Sequence, residues 1–563
     1  MPLCHLEALY HAILSEPSSV LFNIFHLLRE HMKRIFNLYT IIIVVLVGAF
    51  LLAKLPFLDQ SLDRDEGTYL YLGQETLNGA RPYVDNYEMK PPGLFYSYAL
   101  IRTFVGHSST AVRWFSHLLI VINAFLLFIS LRQWKWRWGA LFAVASYLVF
   151  QMIPFYLSSA LLLEPIVLFY FLSAIVTWQF QKGYVISGIL PGMLLMLAVL
   201  TKQNIVFLII GYFIPFAIHG YHKRKNILAF LYLTIGGLFM LAIAIALLWY
   251  QNAWSDFIYW VFDYPAQVYT QSIGLSKGIE LFTTFFQQVF LQTPILWILS
   301  FSGLIAPVIT RWKIQNYHYV LSFFLFSFLS ITPGLRFYGH YWLLWLPSLS
   351  ISIGAFVEAI NQSQIIPVRR WFWISVLTVY IGVHVFIHSD LYLQPNIIKW
   401  ERLVYGRNPN YEIKQICQQL KTLNIKDKEL IVFGSEPQAY FYLNIQPPSP
   451  HVFLAFLNKR HERRQEMQQE FTAAISKQKP TYALYVNFPH SWSITEADAM
   501  DLYQWTRNYI SNSYHAFGIY ALDDHFKSTA RWSQKPEDLQ PKDLNYIWIM
   551  KRNQFRFDSP IEQ

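Results

Sequence analysis

With 563 residues, of which 54% are hydrophobic and only 14% charged, the chain falls well short of the roughly 25% charged residues of soluble proteins. That excludes an ordinary soluble enzyme. The net charge of +10 would suit a nucleic-acid partner, but the basic residues sit in short loops between apolar runs and leave no patch for one.

In chain order, residues 1–36 read as a cytoplasmic amphipathic segment. Its basic cluster (Arg29, Lys33, Arg34) directly precedes an apolar run and lacks the small-residue cleavage site of a signal peptide. Residues 37–57 form the first expected span. Further apolar runs near 111–131, 138–156, 165–180, 185–200, 204–219, 226–250, 292–310, 318–332, 341–360 and 371–389 bring the expectation to about eleven transmembrane helices. With the N-terminus inside, the loops bearing Arg132, Lys135 and Arg137, then Lys182, then Lys223, Arg224 and Lys225, then Arg311 and Lys313, then Arg369 and Arg370 all fall on the cytoplasmic side. Cys4 and Cys417 then lie on opposite sides of the membrane and cannot pair.

The opposite face collects the unusual residues. The first outer loop, 58–110, holds Asp63, Asp65, Glu66, Asp85, Glu88 and Lys90; later outer turns hold Glu164, Lys202, and Arg336 with His340 and Tyr341. A longer outer loop is expected over 251–291. Ionisable residues at membrane ends are costly and tend to mark function. Within the first loop, Asp63-x-x-Glu66 has the form of a capping box with Asp63 as N-cap. The helix should run to Asn78, stop at Gly79 and lie along the interface on Tyr69, Leu72 and Leu77. A second helix starts at "KPPG". Asp65 at the second helical position is not needed as a cap. It sits where the helix dipole favours negative charge, which makes it a candidate general base.

From about 390 the apolar runs end. Residues 429–434, 481–488 and 545–552 read as strands, and 411–423 and 460–478 as helices. Together they suggest an extracytoplasmic α/β domain over 391–563, following a transmembrane domain over 37–390.

"DRDEGTYLYLGQETLNGARPYVDNYEMKPPG" resembles the first outer loop of membrane glycosyltransferases of the GT-C fold. Within them it is closest to family 39, the bacterial relatives of dolichyl-phosphate-mannose protein mannosyltransferases and of the aminoarabinose transferase. Glu164-Pro165, "LAVLTKQN", "RFYGHYWLLWLP" and the "FGSEPQAYFYLNIQPPSP" segment after the spans agree in order. The resemblance implies a polyprenyl-phosphate-linked sugar donor and an acceptor lipid, polysaccharide or protein, with inverting transfer at the extracytoplasmic face of the inner membrane. It assigns Asp65 as base, with Glu66 orienting it or touching substrate. Lys90, Arg336, His340 and Lys202 become donor-phosphate ligands, and Tyr69, Tyr87, Glu88, Glu164 and Tyr341 substrate contacts.

Blander roles stand beside these: Lys202 as a lysine snorkelling at a helix end, His340 as a metal ligand or interfacial histidine, and Tyr69 and Tyr87 as interfacial aromatics. Relatives often carry Glu or His before the lysine, where this chain has Met89, a poor ligand for a hard cation. A divalent cation is therefore left open, and no other cofactor is expected. A surface-polysaccharide ligase or polymerase shares the topology. A transporter would instead place its charges near mid-span and show repeated halves.

Overall fold

The computed structural model describes residues 38–154, 162–180, 188–220, 224–268, 273–309, 316–362, 370–389, 396–494, 501–533, 535–541 and 545–553. The N-terminal segment with Cys4, and the loop cations Lys182, Lys223, Arg311, Lys313 and Arg369, lie outside them. The chain divides into two units, Met1–Ala53 and Lys54–Gln563. The first contributes nearly all of helix α1 (Leu38–Lys54), which carries no charge before its terminal lysine.

Each of the eleven apolar runs carries a helix. After α1, the loop over 58–110 supplies α2 (Arg64–Leu77) and α3 (Gly93–Val105). Then come α4 (Ser109–Gln133), α5 (Trp138–Phe150), α6 (Leu163–Gln179), α7 (Ile189–Thr201), α8 (Val206–Gly220) and α9 (Arg224–Tyr250). They are followed by α10 (Leu275–Gln292), α11 (Pro294–Ile309), α12 (Tyr317–Leu329), α13 (Leu346–Gln362) and α14 (Arg370–Ile387). By length and composition, three helices among the described residues can cross a membrane alone (Leu38–Phe57, Ser109–Gln133, Asn226–Tyr250), or four if a bent pair counts as one span. A 13-residue helix such as α5 rises about 20 Å, short of a hydrocarbon core of about 30 Å. The expected loop 251–291 holds α10, which turns by 106° into the next helix at Thr293-Pro294, where the chain leaves helical geometry and proline cannot continue the ladder.

Close helix crossings use small residues, as packing without a hydrophobic driving force requires. A methyl on Gly354 of α13 would press on the Gly139 carbonyl of α5 at 2.5 Å. Glu358 of α13, itself buried, caps the α5 N-terminus by accepting from the Arg137 and Gly139 amides at 2.9 and 3.0 Å. That accounts for an acid inside an apolar helix.

The C-terminal domain is built on a five-stranded sheet in the order β1-β2-β5-β3-β4, from β1 (Leu430–Phe433), β2 (Tyr482–Asn487), β3 (Tyr514–Leu522), β4 (Ser528–Trp532) and β5 (Asn545–Arg552). β1 and β2 are parallel, and the remaining pairs antiparallel. Its helices include α15 (Ile397–Tyr405), α16 (Asn410–Leu420), α17 (Gln438–Leu443), α18 (Arg464–Gln478) and α19 (Asp501–Ser513).

This domain grips the loop over 58–110. The Ser61 amide donates to Glu401 at 2.7 Å, the Leu62 amide to the Tyr442 hydroxyl at 2.7 Å, and Gln60 to the Tyr405 hydroxyl at 2.9 Å. Gly67 lets α2 cross α17 closely: a methyl there would lie 2.6 Å from Gln438 Cα. Six residues later, Gly73 does the same against the Tyr98 backbone of α3. Every residue from Glu66 to Gly73 is buried, so α2 does not lie along the interface with one face wet. It is sandwiched between α3 and the C-terminal domain.

Candidate functional site

The start of α2 sets the site. Asp63, in extended geometry (φ −78°, ψ 175°), accepts the Glu66 amide at 2.7 Å and so fixes Asp65 at the second helical position. The cap is only half of a capping box. Instead of returning to the Asp63 amide, the Glu66 carboxylate takes Arg113 of α4, whose Nη1 donates to both oxygens at 2.7 Å while Nη2 reaches the Ser61 carbonyl at 2.7 Å. Both side chains are 0% exposed. Adjacent carboxylates thus have separate surroundings: Glu66 is sealed in an ion pair, while half-buried Asp65 lines a cavity.

That cavity, about 500 Å³, is lined by Asp65, Arg64, Arg336, Tyr338 and His340 on one side and by Asn408, Asn410, Phe456 and His490 of the C-terminal domain on the other. Arg64 holds the two sides together, donating to the His490 carbonyl at 2.5 Å and to Asn408 Oδ1 at 3.1 Å.

Arg336 is presented by a strained turn. Its neighbours Leu335 (φ 51°) and Phe337 (φ 50°) both occupy the left-handed region, which costs bulky residues of order 1–3 kcal/mol each. Packing keeps them there. Phe337 is buried, its carbonyl accepts Trp342 Nε1 at 3.0 Å, and its ring meets Phe282 of α10. Arg336 Nη1 approaches the Tyr338 hydroxyl at 3.3 Å. His340 is buried, and burial together with the charges of Lys202 and Lys90 pushes its ring well below the usual histidine range. It faces the cavity as a neutral imidazole and not as a cation.

The remaining candidates converge on the same region in a second layer. Glu88 is buried and accepts its neighbour's amide at 2.9 Å. Burial lifts its carboxyl to about 7, with the Asp65 charge adding to the shift and Lys90 opposing it. Among the described residues no hydrogen bond or ion pair engages the half-buried Lys90 ammonium, and its carbonyl is tied to the Tyr83 hydroxyl at 2.7 Å. Met89 between them is buried and packs inward, so an apolar residue suits that position. Glu164 and Lys202 form a buried ion pair, which answers much of the lysine's charge. The Lys202 ammonium lies 5.1 Å over the Tyr341 ring, and that ring is 4.6 Å from His340. Tyr69 packs edge-on to Tyr98 at 5.5 Å, close enough to Asp65, Glu88 and Glu164 to feel their charges.

Tyr87 goes elsewhere. It stacks on Trp260 at 5.2 Å, touches His451 at 4.7 Å and directs its hydroxyl to Glu470 at 3.3 Å. Asp85 is held by Arg81 in a surface pair at 2.9 Å. Among the described residues no group of three His, Cys, Asp or Glu side chains could hold a metal ion, so the donors on hand do not fit a divalent cation and no step is routed through one.

Arg113 and the cavity residues of the C-terminal domain were not among the sequence candidates. Arg113 carried a signal, an arginine inside an apolar run. Asn408, Asn410 and His490 carried none, because only the fold brings them to Asp65.

No family model matches the chain, and no curated protein matches its sequence. Among solved structures, ArnT from Cupriavidus metallidurans bound to undecaprenyl phosphate aligns over 92% of this chain and 99% of its own, at 14% identity and a TM-score of 0.50. An oligosaccharyltransferase from Archaeoglobus fulgidus aligns over 89% of this chain and 75% of its own, at 10% identity and a TM-score of 0.47. The arabinofuranosyltransferase AftD from mycobacteria aligns over 90% of this chain and 41% of its own, at 12% identity and a TM-score of 0.46. At these identities the likeness is one of architecture: the chain has the GT-C fold of membrane glycosyltransferases.

Proposed function

We propose that this protein is an inverting membrane glycosyltransferase of the family 39 type. It transfers a sugar from a polyprenyl-phosphate carrier to an acceptor hydroxyl at the extracytoplasmic face of the inner membrane, with about eleven spans below the site. The observation that carries the reading is the cavity lined by both Asp65 and Arg336 together with residues of the C-terminal domain. A carboxylate and a guanidinium facing one space are what transfer from a lipid phosphate needs: a proton acceptor for the nucleophile and a cation for the leaving group.

In this mechanism Asp65 takes the proton of the acceptor hydroxyl as its oxygen bonds to the anomeric carbon, from the side opposite the phosphate. The bond from that carbon to the phosphate oxygen breaks, and the electron pair leaves on polyprenyl phosphate. Arg336, which can hold phosphate oxygens bidentately, and Lys90 receive the growing charge. His340, being neutral, donates to or accepts from a hydroxyl. Glu66 positions Asp65 through the Arg113 pair and the helix start. Glu164 and Lys202 hold the Tyr341 wall, with Tyr69 and Glu88 beside the sugar. Tyr87 belongs to the contact with the C-terminal domain.

Asp65→Asn tests the reading, since it keeps shape and loses the proton acceptor. Transfer from a polyprenyl-phosphate sugar should fall by at least a hundredfold, with affinity for polyprenyl phosphate retained. Near-parental turnover in the purified variant would remove Asp65 as the base.

A further inference from the structure

A second concavity, about 670 Å³, lies wholly in the C-terminal domain and shares no lining residue with the Asp65 cavity. One wall is aromatic. Tyr485 of β2 pairs in register with Trp548 of β5, and Tyr546 lies two residues before it on the same face. The three rings cluster at 4.9 Å for Tyr546–Trp548, 6.0 Å for Tyr485–Trp548 and 6.3 Å for Tyr485–Tyr546. Trp548 is oriented by its bond to the Leu539 carbonyl at 3.2 Å. Tyr485 is buried beneath, whereas Tyr546 and Trp548 are half-buried, so those two rings reach the groove. The facing wall is polar. Gln504, Arg507 and Asn508 of α19 line the groove at i, i+3 and i+4, one face of the helix. All three are exposed, and their side chains make no hydrogen bond to another described residue.

We propose that this groove binds a saccharide chain. A sugar ring offers an apolar C–H face and a rim of hydroxyls. An aromatic ladder receives the first, and planar amides with a guanidinium receive the second. Other occupants fit less well. Arg507 and His515 are the only basic residues among the described lining residues, too few for a nucleic acid, which needs a cation for each phosphate it engages. An acyl chain would leave the polar wall without partners, at a cost in affinity.

The groove also abuts the catalytic cavity. The Tyr485 ring lies 6.2 Å from Trp492, and Trp492 sits between His490 and Ser493, both of which line the Asp65 cavity. A chain seated in the groove is therefore held one short helix away from the reacting centre. That the bound saccharide is the acceptor rests on the glycosyltransferase reading; that the groove binds saccharide does not.

The test is binding of the full-length protein in detergent to an immobilised panel of defined short oligosaccharides, neutral and acidic. Arg507→Ala and Gln504→Ala change exposed side chains and leave the fold intact. Each should weaken capture about tenfold, the loss of one hydrogen bond to a polar or charged group, while Asp65→Asn should bind as the parent does. Absence of binding to every member at millimolar concentration would overturn the inference. So would binding that survives both groove variants, or that disappears with Asp65→Asn. Groove-dependent binding by a protein that transfers no sugar would leave the groove standing and sink the catalytic reading instead.

Discussion

On the proposed reading, the Glu66–Arg113 pair decides whether two adjacent acids are two catalysts or one catalyst and its mount. Neither side chain is exposed, and Arg113 spends Nη1 on both Glu66 oxygens and Nη2 on the Ser61 carbonyl. Glu66→Met therefore strands a buried guanidinium with one carbonyl partner, and Arg113→Leu strands a buried carboxylate. Each loss should cost about 3–5 kcal/mol, because the remaining charge keeps its desolvation penalty without its partner. The double variant Glu66→Met/Arg113→Leu removes both charges and fills the space, so it should recover most of that loss, which makes the coupling about 4 kcal/mol or more. Denaturant or thermal unfolding of the solubilised protein, run as a double-mutant cycle, measures this. Turnover should follow the folded fraction, so the double variant should outperform both single ones. If Glu66→Met unfolds like the parent yet loses transfer a hundredfold with donor binding intact, Glu66 acts in the chemistry and the positioning argument fails.

Lys90→Ala and Arg336→Ala should each weaken competition by a non-hydrolysable polyprenyl phosphate, slow turnover about a hundredfold, or both, since one donor to developing charge is worth about 3 kcal/mol. The apparent KM for acceptor should stay unchanged; variants that bind the phosphate normally and fail only with acceptor would reverse the assignment. Glu88, lifted by burial from the ordinary 4.5 to about 7, holds its proton more tightly when folded. Its stabilising contribution is therefore complete below about pH 4.5 and is lost as pH rises through 7, at no more than about 1.4 kcal/mol per pH unit. Glu88→Gln should flatten that slope in unfolding measured from pH 4 to 8, and an unchanged slope would assign it to another group.

Features coded locally were legible in the sequence. Apolar run length located eleven helices. The Asp63 cap and the Gly79 stop (φ 90°) follow from backbone rules that act within a few residues. What escaped is long-range or balanced. The Glu66 partner lies 47 residues away, so a capping-box pattern looked complete when half of it served another helix. Helix α10 mixes glutamines with phenylalanines and offers no long apolar run. In the C-terminal domain, β4 is a short, largely exposed edge without clear alternation, and β3 is interrupted by a bulge between Ala516 and Gly518. Neither offers the short uninterrupted apolar run that revealed the buried strands β1 and β2. The cavity is the extreme case, since half its wall comes from residues more than 300 positions beyond Asp65.

The same long-range packing constrains the topology more strictly than helix length does. The first outer loop is bonded to the C-terminal domain at Ser61, Leu62 and Arg64, so the two share one side of the membrane, and the chain between residues 58 and 396 must cross an even number of times. Counting only the long apolar helices gives two crossings there, or three if the bent pair is one more. Three is forbidden. Two would leave Glu164 and Lys202, which lie between the two crossings, on the side opposite Asp65, yet Lys202 lies over Tyr341 beside His340 in the Asp65 cavity. Ten crossings by the ten apolar runs after the first would place Glu164, Lys202, Arg336 and the C-terminal domain on one side, and would put the loop cations on the other as positive charge near the cytoplasm requires. We therefore expect the C-terminal domain outside the inner membrane. Cys417 is buried at 1% exposure and will not report, whereas Asp524, 89% exposed, will. Asp524→Cys should react with a membrane-impermeant maleimide in cells whose inner membrane is intact. Labelling only after that membrane is opened would reverse the orientation and place the site on the cytoplasmic side, against the proposed extracytoplasmic transfer.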